Sequence, residues 1–164
     1  MWSGKTSELI RRIDRARYAN QPTITYKYSK DTRYVGRSAL VSSHSNLQRE
    51  AIPVTSLLAE PIPVAGTVVA IDEAQFIEGL VEFCESAADA GCIVIVSALS
   101  SDFQRKGFPR IIELIPKAEE LIRLHAVCFV CKKEASFTKR TTSSEELEVI
   151  GGEEAYKAVC RKCW

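Results

Sequence analysis

Strong net charge and long apolar runs are both missing from this sequence of 164 residues. The 22 Lys and Arg residues nearly balance the 21 Asp and Glu residues, so the net charge is +1. A chain without a global positive field is a poor electrostatic partner for nucleic acid or acidic lipid. No apolar run approaches the roughly 20 residues of a membrane-spanning helix, and no signal-peptide pattern opens the sequence. We therefore predict a cytoplasmic protein that binds neither nucleic acid nor membrane.

The hydrophobic content, 46%, is that of an ordinary globular protein with a sizeable core. Apolar spacing predicts alternating helices and strands in the first part of the chain, and the run at 68–71 has the continuous apolar character of a buried parallel strand. This alternation predicts an α/β fold, a P-loop parallel sheet flanked by helices. The predicted elements are a helix over 6–18, a strand over 23–28, mostly loop with one or two short strands over 29–66, a strand over 68–71, a helix from Ile77 closed by Gly91, a strand over 93–96, and a helix from 111 to 122 with Pro109 near its start.

Two of the six cysteines, Cys84 and Cys92, stand alone in apolar surroundings, which is typical of buried free thiols. The other four form two C-x-x-C knuckles, and paired knuckles without a secretory signal are typical of a zinc site. We predict that the ligands of a structural Zn²⁺ ion are Cys128, Cys131, Cys160 and Cys163.

The segment between the knuckles, residues 132–159, is longer than the common spacing of about 15–20 residues. Closing such a loop costs on the order of 3 kcal/mol, whereas zinc binding contributes roughly 10–16 kcal/mol. The metal can therefore close the longer loop. With four thiolate ligands it keeps no open position for a catalytic water.

The composition changes near His125, where paired cysteines, short β-prone pieces (136–138 and 148–150) and a polar connector (141–146) begin. We predict a P-loop α/β domain over residues 1–124. A small β subdomain over residues 125–164 would be stapled by zinc and carry an extended loop between its knuckles.

The stretch Ser3-Gly4-Lys5-Thr6 matches the second half of the phosphate-loop pattern G-x-x-x-x-G-K-[ST] and directly precedes a predicted helix. Backbone N–H groups at that helix start could bind phosphate, with Lys5 neutralising the β- and γ-phosphates and Thr6 holding Mg²⁺. The alternative is an ordinary helix start capped by Ser3 or Thr6. The first glycine of the pattern would lie before Met1, so we expect it, and the strand that feeds the loop, upstream of the printed sequence.

The buried strand at 68–71 ends in Asp72-Glu73. An acid at that place is what a P-loop enzyme uses to fix Mg²⁺ from its second side, which is the role we predict for Asp72. Glu73 could then accept a proton from an attacking hydroxyl or orient a water. Alternatively, the pair is two solvated acids, or D-E-A-Q belongs to a helicase-type ATPase. That motor normally needs two RecA-like domains and a nucleic-acid-binding charge.

With these motifs placed, the chain resembles type II thymidine kinases, the cytosolic cell-cycle enzymes. The resemblance runs over nearly the whole length. It rests on M-W-S-G-K-T-S-E-L at the start, K-D-T-R-Y at 30–34, I-D-E-A-Q-F at 71–76, V-E-F-C at 81–84, F-Q-R-K at 103–106, T-K-R at 138–140, and E-V-I-G-G at 148–152 with Tyr156.

The resemblance implies ATP-dependent phosphorylation of the 5′-hydroxyl of deoxythymidine, with Mg²⁺ and Glu73 as the catalytic base. It implies a thymine pocket whose polar edge is read by backbone groups of 147–151, a segment that forms a lid over the substrate. It also implies a homotetramer and feedback inhibition by dTTP. The pocket residues implied are Met1, Phe76, Leu99, Phe103, Phe108, Thr138, Leu147, Val149, Ile150, Gly151 and Tyr156, of which Met1, Leu99, Thr138 and Tyr156 surround the 5-methyl group.

Several positions depart from the family pattern or stay open. Ser100-Ser101 stands where relatives commonly have Asp-Gly, and Ser45 follows His44 where Asp is frequent. Leu147 replaces a residue that is often Val.

Other assignments are undecided from the sequence. Core packing also explains Phe76, Leu99 and Phe108, and packing on the zinc knuckle explains Tyr156. Arg33 and Arg140 are either solvated or phosphate-binding. Two other functions stay open: a helicase-type nucleic-acid-stimulated ATPase, and a non-catalytic zinc-knuckle adaptor with a vestigial P-loop.

Overall fold

A computed structural model describes residues 2–31, 39–42, 47–141 and 155–164. The helices are α1 (Lys5–Tyr18), α2 (Leu80–Asp89) and α3 (Pro109–Leu114), with short 3₁₀ turns at Ala74–Phe76 and Ile115–Lys117. The strands are β1 (Thr23–Tyr28), β2 (Leu40–Ser42), β3 (Gln48–Glu50), β4 (Ile52–Val54), β5 (Val68–Asp72), β6 (Ile93–Ser97), β7 (Ala126–Val127), β8 (Glu134–Ala135), β9 (Phe137–Arg140) and β10 (Tyr156–Val159). Within these ranges, no helix combines the length and apolarity needed to cross a membrane.

The main sheet has four strands in the order β4-β1-β5-β6, and each neighbouring pair is parallel. All five residues of β5 are buried, as expected for a central parallel strand covered on both faces. The predicted α/β fold is therefore confirmed. The register places Asp72 directly between Lys27 of β1 and Ser97 of β6.

Successive residues of β5 face opposite layers because side chains alternate along a strand. Ala70 packs against Leu9 and Ile13 of α1. Val69 and Ile71 join the larger core on the other face, which includes Leu80, Phe83, Cys84 and Ala87 of α2. Asp72 follows Ala70 by two residues, so its side chain lies on the α1 face, next to the start of that helix.

Two helix predictions need correction. The second helix begins at Leu80 rather than Ile77, because Gly79 has a left-handed backbone (φ 69°) that an α-helix interior does not accept. The third helix ends at Leu114 instead of continuing to residue 122. Pro116 has no N–H to donate to the carbonyl of Ile112, so the chain passes into a 3₁₀ turn and then leaves the helix.

The region 29–66 contains three short strands among its described residues, more than predicted. β2 and β3 pair with each other, whereas β4 adds to the edge of the main sheet beside β1. β4 was not predicted as a separate strand because three residues are too few to show an alternating pattern. Pro53 is tolerated in β4 because an edge strand needs no N–H donor on its outer side.

The described residues of the C-terminal part form two antiparallel pairs, β7-β8 and β9-β10. They enclose a separate small core of Ala126, Cys128, Ala135, Ala158 and Val159. The β-prone piece at 136–138 is confirmed as part of β9, while the piece at 148–150 lies outside the described residues. The boundary between residues 124 and 125 stays a prediction.

Gly79 provides a test of the chain path into α2. An added Cβ would lie 2.6 Å from Cδ2 and 3.1 Å from the backbone nitrogen of Leu58. Gly66 has a similar φ (84°) with no atom within 4 Å of an added Cβ. We expect Gly66→Ala to lower the free energy of unfolding by about 1–2 kcal/mol, the left-handed backbone cost, and Gly79→Ala to lower it by at least about 1 kcal/mol more. Urea unfolding of both variants measures this, and equal losses would contradict the contact with Leu58.

Candidate active site

Asp72, the last residue of β5, is hydrogen-bonded to both α1 and β6. Its side chain is buried, with 5% of its surface exposed. Oδ2 accepts a hydrogen bond from Thr6 Oγ1 (3.1 Å), and Oδ1 accepts one from Ser97 Oγ (2.7 Å). Burial and the neighbouring Glu73 carboxylate raise the pKa of Asp72, while the two hydroxyls and the positive charge of Lys5 partly oppose that rise. A divalent cation beside this carboxylate would favour its ionised form.

Glu73 leaves the strand in the left-handed region, with φ 50° and ψ 38°. A non-glycine residue pays about 1–2 kcal/mol for that conformation, and such strain concentrates at functional sites. The side chain is also buried, and Gln75 Nε2 donates a 2.7 Å hydrogen bond to its Oε2. The solvated-acid interpretation of Asp72 and Glu73 is therefore wrong, since both are buried and hydrogen-bonded.

The start of α1 has the features expected of a phosphate loop. Gly4, with φ 79°, precedes the helix, and its carbonyl accepts the Glu8 N–H at 2.9 Å. No side chain caps this helix start, so the alternative of a helix capped by Ser3 or Thr6 is wrong. The Thr6 hydroxyl instead donates to Asp72. Uncapped N–H groups at a helix start favour anions.

Lys27 of β1 is a buried cation on the sheet face that carries Asp72, and the two residues are register partners. Its Nζ donates to the carbonyls of Asp31 and Leu40, both at 3.2 Å. Lysine is rarely buried unless its charge has partners. Lys27 therefore ties the chain on both sides of segment 32–38 to the carboxyl end of the sheet.

The apolar residues expected in the thymine pocket fall into two groups. Phe76, Leu99 and Phe108 adjoin the main core, and the ring of Phe76 lies between Tyr28 (5.1 Å between centroids) and Phe108 (5.6 Å). Core packing accordingly accounts for part of their surface. Their role in binding a base stays a prediction.

The second group surrounds Arg140. Its guanidinium lies 3.7 Å from the ring centroid of Phe103, and Nη2 donates a 2.7 Å hydrogen bond to the hydroxyl of Tyr156. Thr138 and Arg140 are two residues apart on β9, and Tyr156 is the register partner of Arg140 on β10. Because side chains alternate along strands, these three residues share one face of the pair. Tyr156 therefore has a partner other than the cysteine knuckles, and Arg140 is not simply solvated.

The remaining predicted pocket residues lie outside the described part of the chain, so their roles stay predictions. They are Met1, Leu147, Val149, Ile150 and Gly151, and the same holds for Arg33 and His44.

The four knuckle cysteines come together. Their Sγ atoms all lie within 4.8 Å of one another, and the Cys131 and Cys160 sulfurs are 3.6 Å apart. A tetrahedral Zn²⁺ with Zn–S bonds of about 2.3 Å separates its sulfurs by about 3.8 Å. Hydrogen bonds from backbone N–H groups, that of Cys131 first, lower the pKa of Cys128 to about 6, whereas the hydrogen bond with Cys160 and the other crowded thiols raise the pKa of Cys163 to about 12. A bound cation would favour the thiolate form of all four. The donor set and its spacing therefore fit zinc, while Cys84 and Cys92 are buried free thiols as predicted.

Trp2 joins the segment that precedes α1 to this cysteine cluster. It precedes Ser3-Gly4 and packs against the small C-terminal core together with Cys160 and Cys163. Its backbone is also left-handed, with φ 52°. Sequence patterns do not reveal this contact, because the two segments are more than 120 residues apart and neither carries a repeat.

Sequence reasoning also missed Ser97, Gln75 and Lys27. Ser97 could have been found, because it ends an apolar strand beside the one that ends in Asp72. Gln75 lies inside a recognised motif, yet its side-chain partners depend on how the chain turns after β5. No sequence signal shows that turn.

Comparison with known proteins agrees with this geometry. The family model described as thymidine kinase matches residues 1–164. The chain belongs to the thymidine kinase family. A thymidine kinase of myxoma virus (strain Lausanne) is 47% identical over 165 residues, covering all of this chain and 91% of the viral protein. The cytosolic thymidine kinases of Bos taurus and Homo sapiens are each 46% identical, with all of this chain and 68% and 69% of those proteins covered.

The cysteine cluster of this thymidine kinase family member predicts about one zinc ion per chain, retained through gel filtration and measured by elemental analysis. We expect Cys160→Ser to lower both the zinc content and the melting temperature, because loss of a ligand weakens a site that supports folding. Cys92→Ser is the matched control: Cys92 lies outside the cluster, near the carbonyls of Pro63 and Val64, and should leave the zinc content unchanged. A folded, active sample without zinc would refute the assignment.

Proposed function

We propose that this chain transfers the γ-phosphate of ATP to the 5′-hydroxyl of deoxythymidine, giving dTMP for nucleotide salvage. The observation that carries the proposal is the hydrogen bond between Thr6 and Asp72. It joins the start of α1 to the carboxyl end of β5, with Glu73 next in the chain. Family membership supports the choice of substrates.

On the ATP side, Ser3, Gly4, Lys5 and Thr6 would bind the phosphates through backbone N–H groups and the Lys5 ammonium. Thr6 and Asp72 are the residues that would hold Mg²⁺, and their oxygens suit this cation. A bound Mg²⁺ would neutralise charge on the transferred phosphate. Ser97 fixes the second carboxylate oxygen of Asp72 from β6.

On the nucleoside side, Glu73 would accept the proton of the attacking 5′-hydroxyl. A general base must lie within hydrogen-bond reach of that proton. The buried position of Glu73 beside Asp72 brings the base next to the phosphate-binding end of the sheet. Its low exposure also limits competition from water.

Phe76, Leu99, Phe103, Phe108, Thr138 and Tyr156 would line the thymine pocket together with Met1. The polar edge of the base would meet the backbone near Leu147, Val149, Ile150 and Gly151. Residues 141 and 155 support such a lid, because the Thr141 N–H donates to the Ala155 carbonyl at 2.9 Å. Thr141 and Ala155 therefore lie next to each other, directly beside β9 and β10.

The same proposal includes a homotetramer and feedback inhibition by dTTP, which rest on resemblance alone. It also includes a cytoplasmic location and a zinc-stapled subdomain over residues 125–164, which the clustered cysteines support. The mammalian and avian relatives carry the name cytosolic thymidine kinase. Family membership supports the kinase over a helicase-type ATPase or a zinc-knuckle adaptor.

We expect Glu73→Gln to lower the turnover of thymidine at least 100-fold, because general-base catalysis contributes about 10²–10⁴ in rate. Thymidine binding should be retained, since the amide has nearly the same shape. A coupled ADP-release assay, run with thymidine, with DNA and with neither, measures turnover and separates a kinase from a nucleic-acid-stimulated ATPase. Near-normal turnover of the variant would exclude Glu73 as the base.

The variants Thr6→Val and Ser97→Ala distinguish a direct role in Mg²⁺ binding from a role in holding the Asp72 carboxylate. Each removes one hydroxyl from Asp72, but only Thr6 is proposed to touch Mg²⁺. We expect Thr6→Val to lower kcat/KM for MgATP at least tenfold and more than Ser97→Ala does, because Thr6→Val removes a comparable hydrogen bond to Asp72 and a proposed Mg²⁺ ligand as well. Steady-state kinetics at varied MgATP measure both. Equal losses would mean that Thr6 acts only by holding Asp72.

A further inference from the structure

Gln75 is a buried amide that the proposed mechanism does not use. It lies in the 3₁₀ turn Ala74–Phe76 with 3% of its surface exposed. Its Nε2 donates to Glu73 Oε2 at 2.7 Å, and its Oε1 accepts the backbone N–H of Leu99 at 3.1 Å. Both ends of the amide are therefore in use within a site closed to solvent.

The orientation of this amide follows from its partners. A backbone N–H can only donate, so the group that faces Leu99 must be the amide oxygen. The NH₂ group then faces Glu73, whose ionised carboxylate can only accept. Hydrogen bonds to a charged group are short and strong, and the 2.7 Å distance is typical of that class. The Gln75 amide thus has one arrangement that satisfies both neighbours.

We propose that Gln75 is a positioning residue that holds the Glu73 carboxylate at a fixed place relative to Leu99. This inference rests on the proposed role of Glu73 as base and of Leu99 in the thymine pocket. Through one amide, the chain after β6 sets the position of the base that must meet the 5′-hydroxyl. Leu99 is also proposed to line the thymine pocket. The segment after β6 would therefore position both the thymine ring and the Glu73 carboxylate.

Glu73 needs such a support for two reasons. It sits at a left-handed turn outside the regular strand, so the sheet itself does not fix its side chain. It also follows the Asp72 carboxylate directly in the chain, and like charges repel. A base displaced by about 1 Å can lose about 100-fold in rate.

The first experiment compares two variants of Gln75. Gln75→Met removes both hydrogen bonds at similar length, while Gln75→Glu keeps an oxygen for the Leu99 N–H but removes the amide donor that faces Glu73. We expect each to lower kcat by about 10–100-fold, with the dissociation constant of thymidine and the KM for ATP changed less than about threefold. Gln21→Glu is the matched control, because Gln21 precedes β1 at the opposite end of the sheet, and it should leave kcat unchanged.

A double-mutant cycle with Glu73→Gln tests whether Gln75 acts through Glu73, using single-turnover transfer to radiolabelled thymidine. If Gln75 only positions the base, Gln75→Met has no further effect once the base is gone. Glu73→Asp replaces Glu73→Gln in the cycle if residual transfer falls below detection, and the effect of Gln75→Met should then be reduced.

The outcomes separate this inference from the proposed function. Absence of thymidine-dependent transfer in the wild-type protein, or normal turnover of Glu73→Gln, would overturn the proposed function. Loss of activity in Glu73→Gln with normal kcat in both Gln75 variants would overturn only the positioning role. That role would also be wrong if the two substitutions add fully in the cycle, or if the Gln75 variants weaken thymidine binding in proportion to their loss of kcat.

Discussion

The buried carboxylate of Asp72 is the constraint on which the rest of the site depends. A buried charge without partners is too costly to retain, so the fold must bring donors to it. It does so from two directions, with Thr6 at the start of α1 and Ser97 at the end of β6. These two hydrogen bonds fix the helix start and the two strand ends relative to one another. The end of the sheet that is proposed to bind phosphate is thereby built around one side chain.

Backbone geometry directs the side chains of the adjacent residues Asp72 and Glu73 to different places. Asp72 is the last residue of β5 and keeps the strand alternation, which directs it to the α1 face. Glu73 takes a left-handed backbone and leaves that alternation. The chain at the end of β6 then serves both acids, since Ser97 donates to Asp72 and Leu99 donates to the amide that holds Glu73. One strand end therefore sets the spacing between the proposed metal ligand and the proposed base.

The sequence predicted those features that repeat or that match a motif. β1 was found from its alternating β-branched and aromatic residues, and β5 and β6 from their continuous apolar runs. Asp72 and Glu73 were found from their place at the end of a buried strand, and the four knuckle cysteines from their spacing. The start of α2 was misplaced because Ile77 fits the helical period although Gly79 breaks it. β4 was missed because three residues show no period. Gln75 and Trp2 were missed because their contacts with Leu99 and with the C-terminal core join segments that are distant in the chain, which no local pattern contains.

A few aromatic contacts connect the C-terminal part, which carries the cysteine cluster, to both proposed substrate sites. Among the described residues this core has only five buried members, so a bound metal would help to order it. Trp2 packs against that core from the segment that precedes α1, while Arg140 stacks on Phe103 and Arg105 stacks on Trp164 at 3.7 Å. The strained backbone of Trp2 costs about 1–2 kcal/mol and persists only because surrounding contacts hold it. Order supplied by a bound metal would therefore extend from this core to the loop proposed to bind ATP.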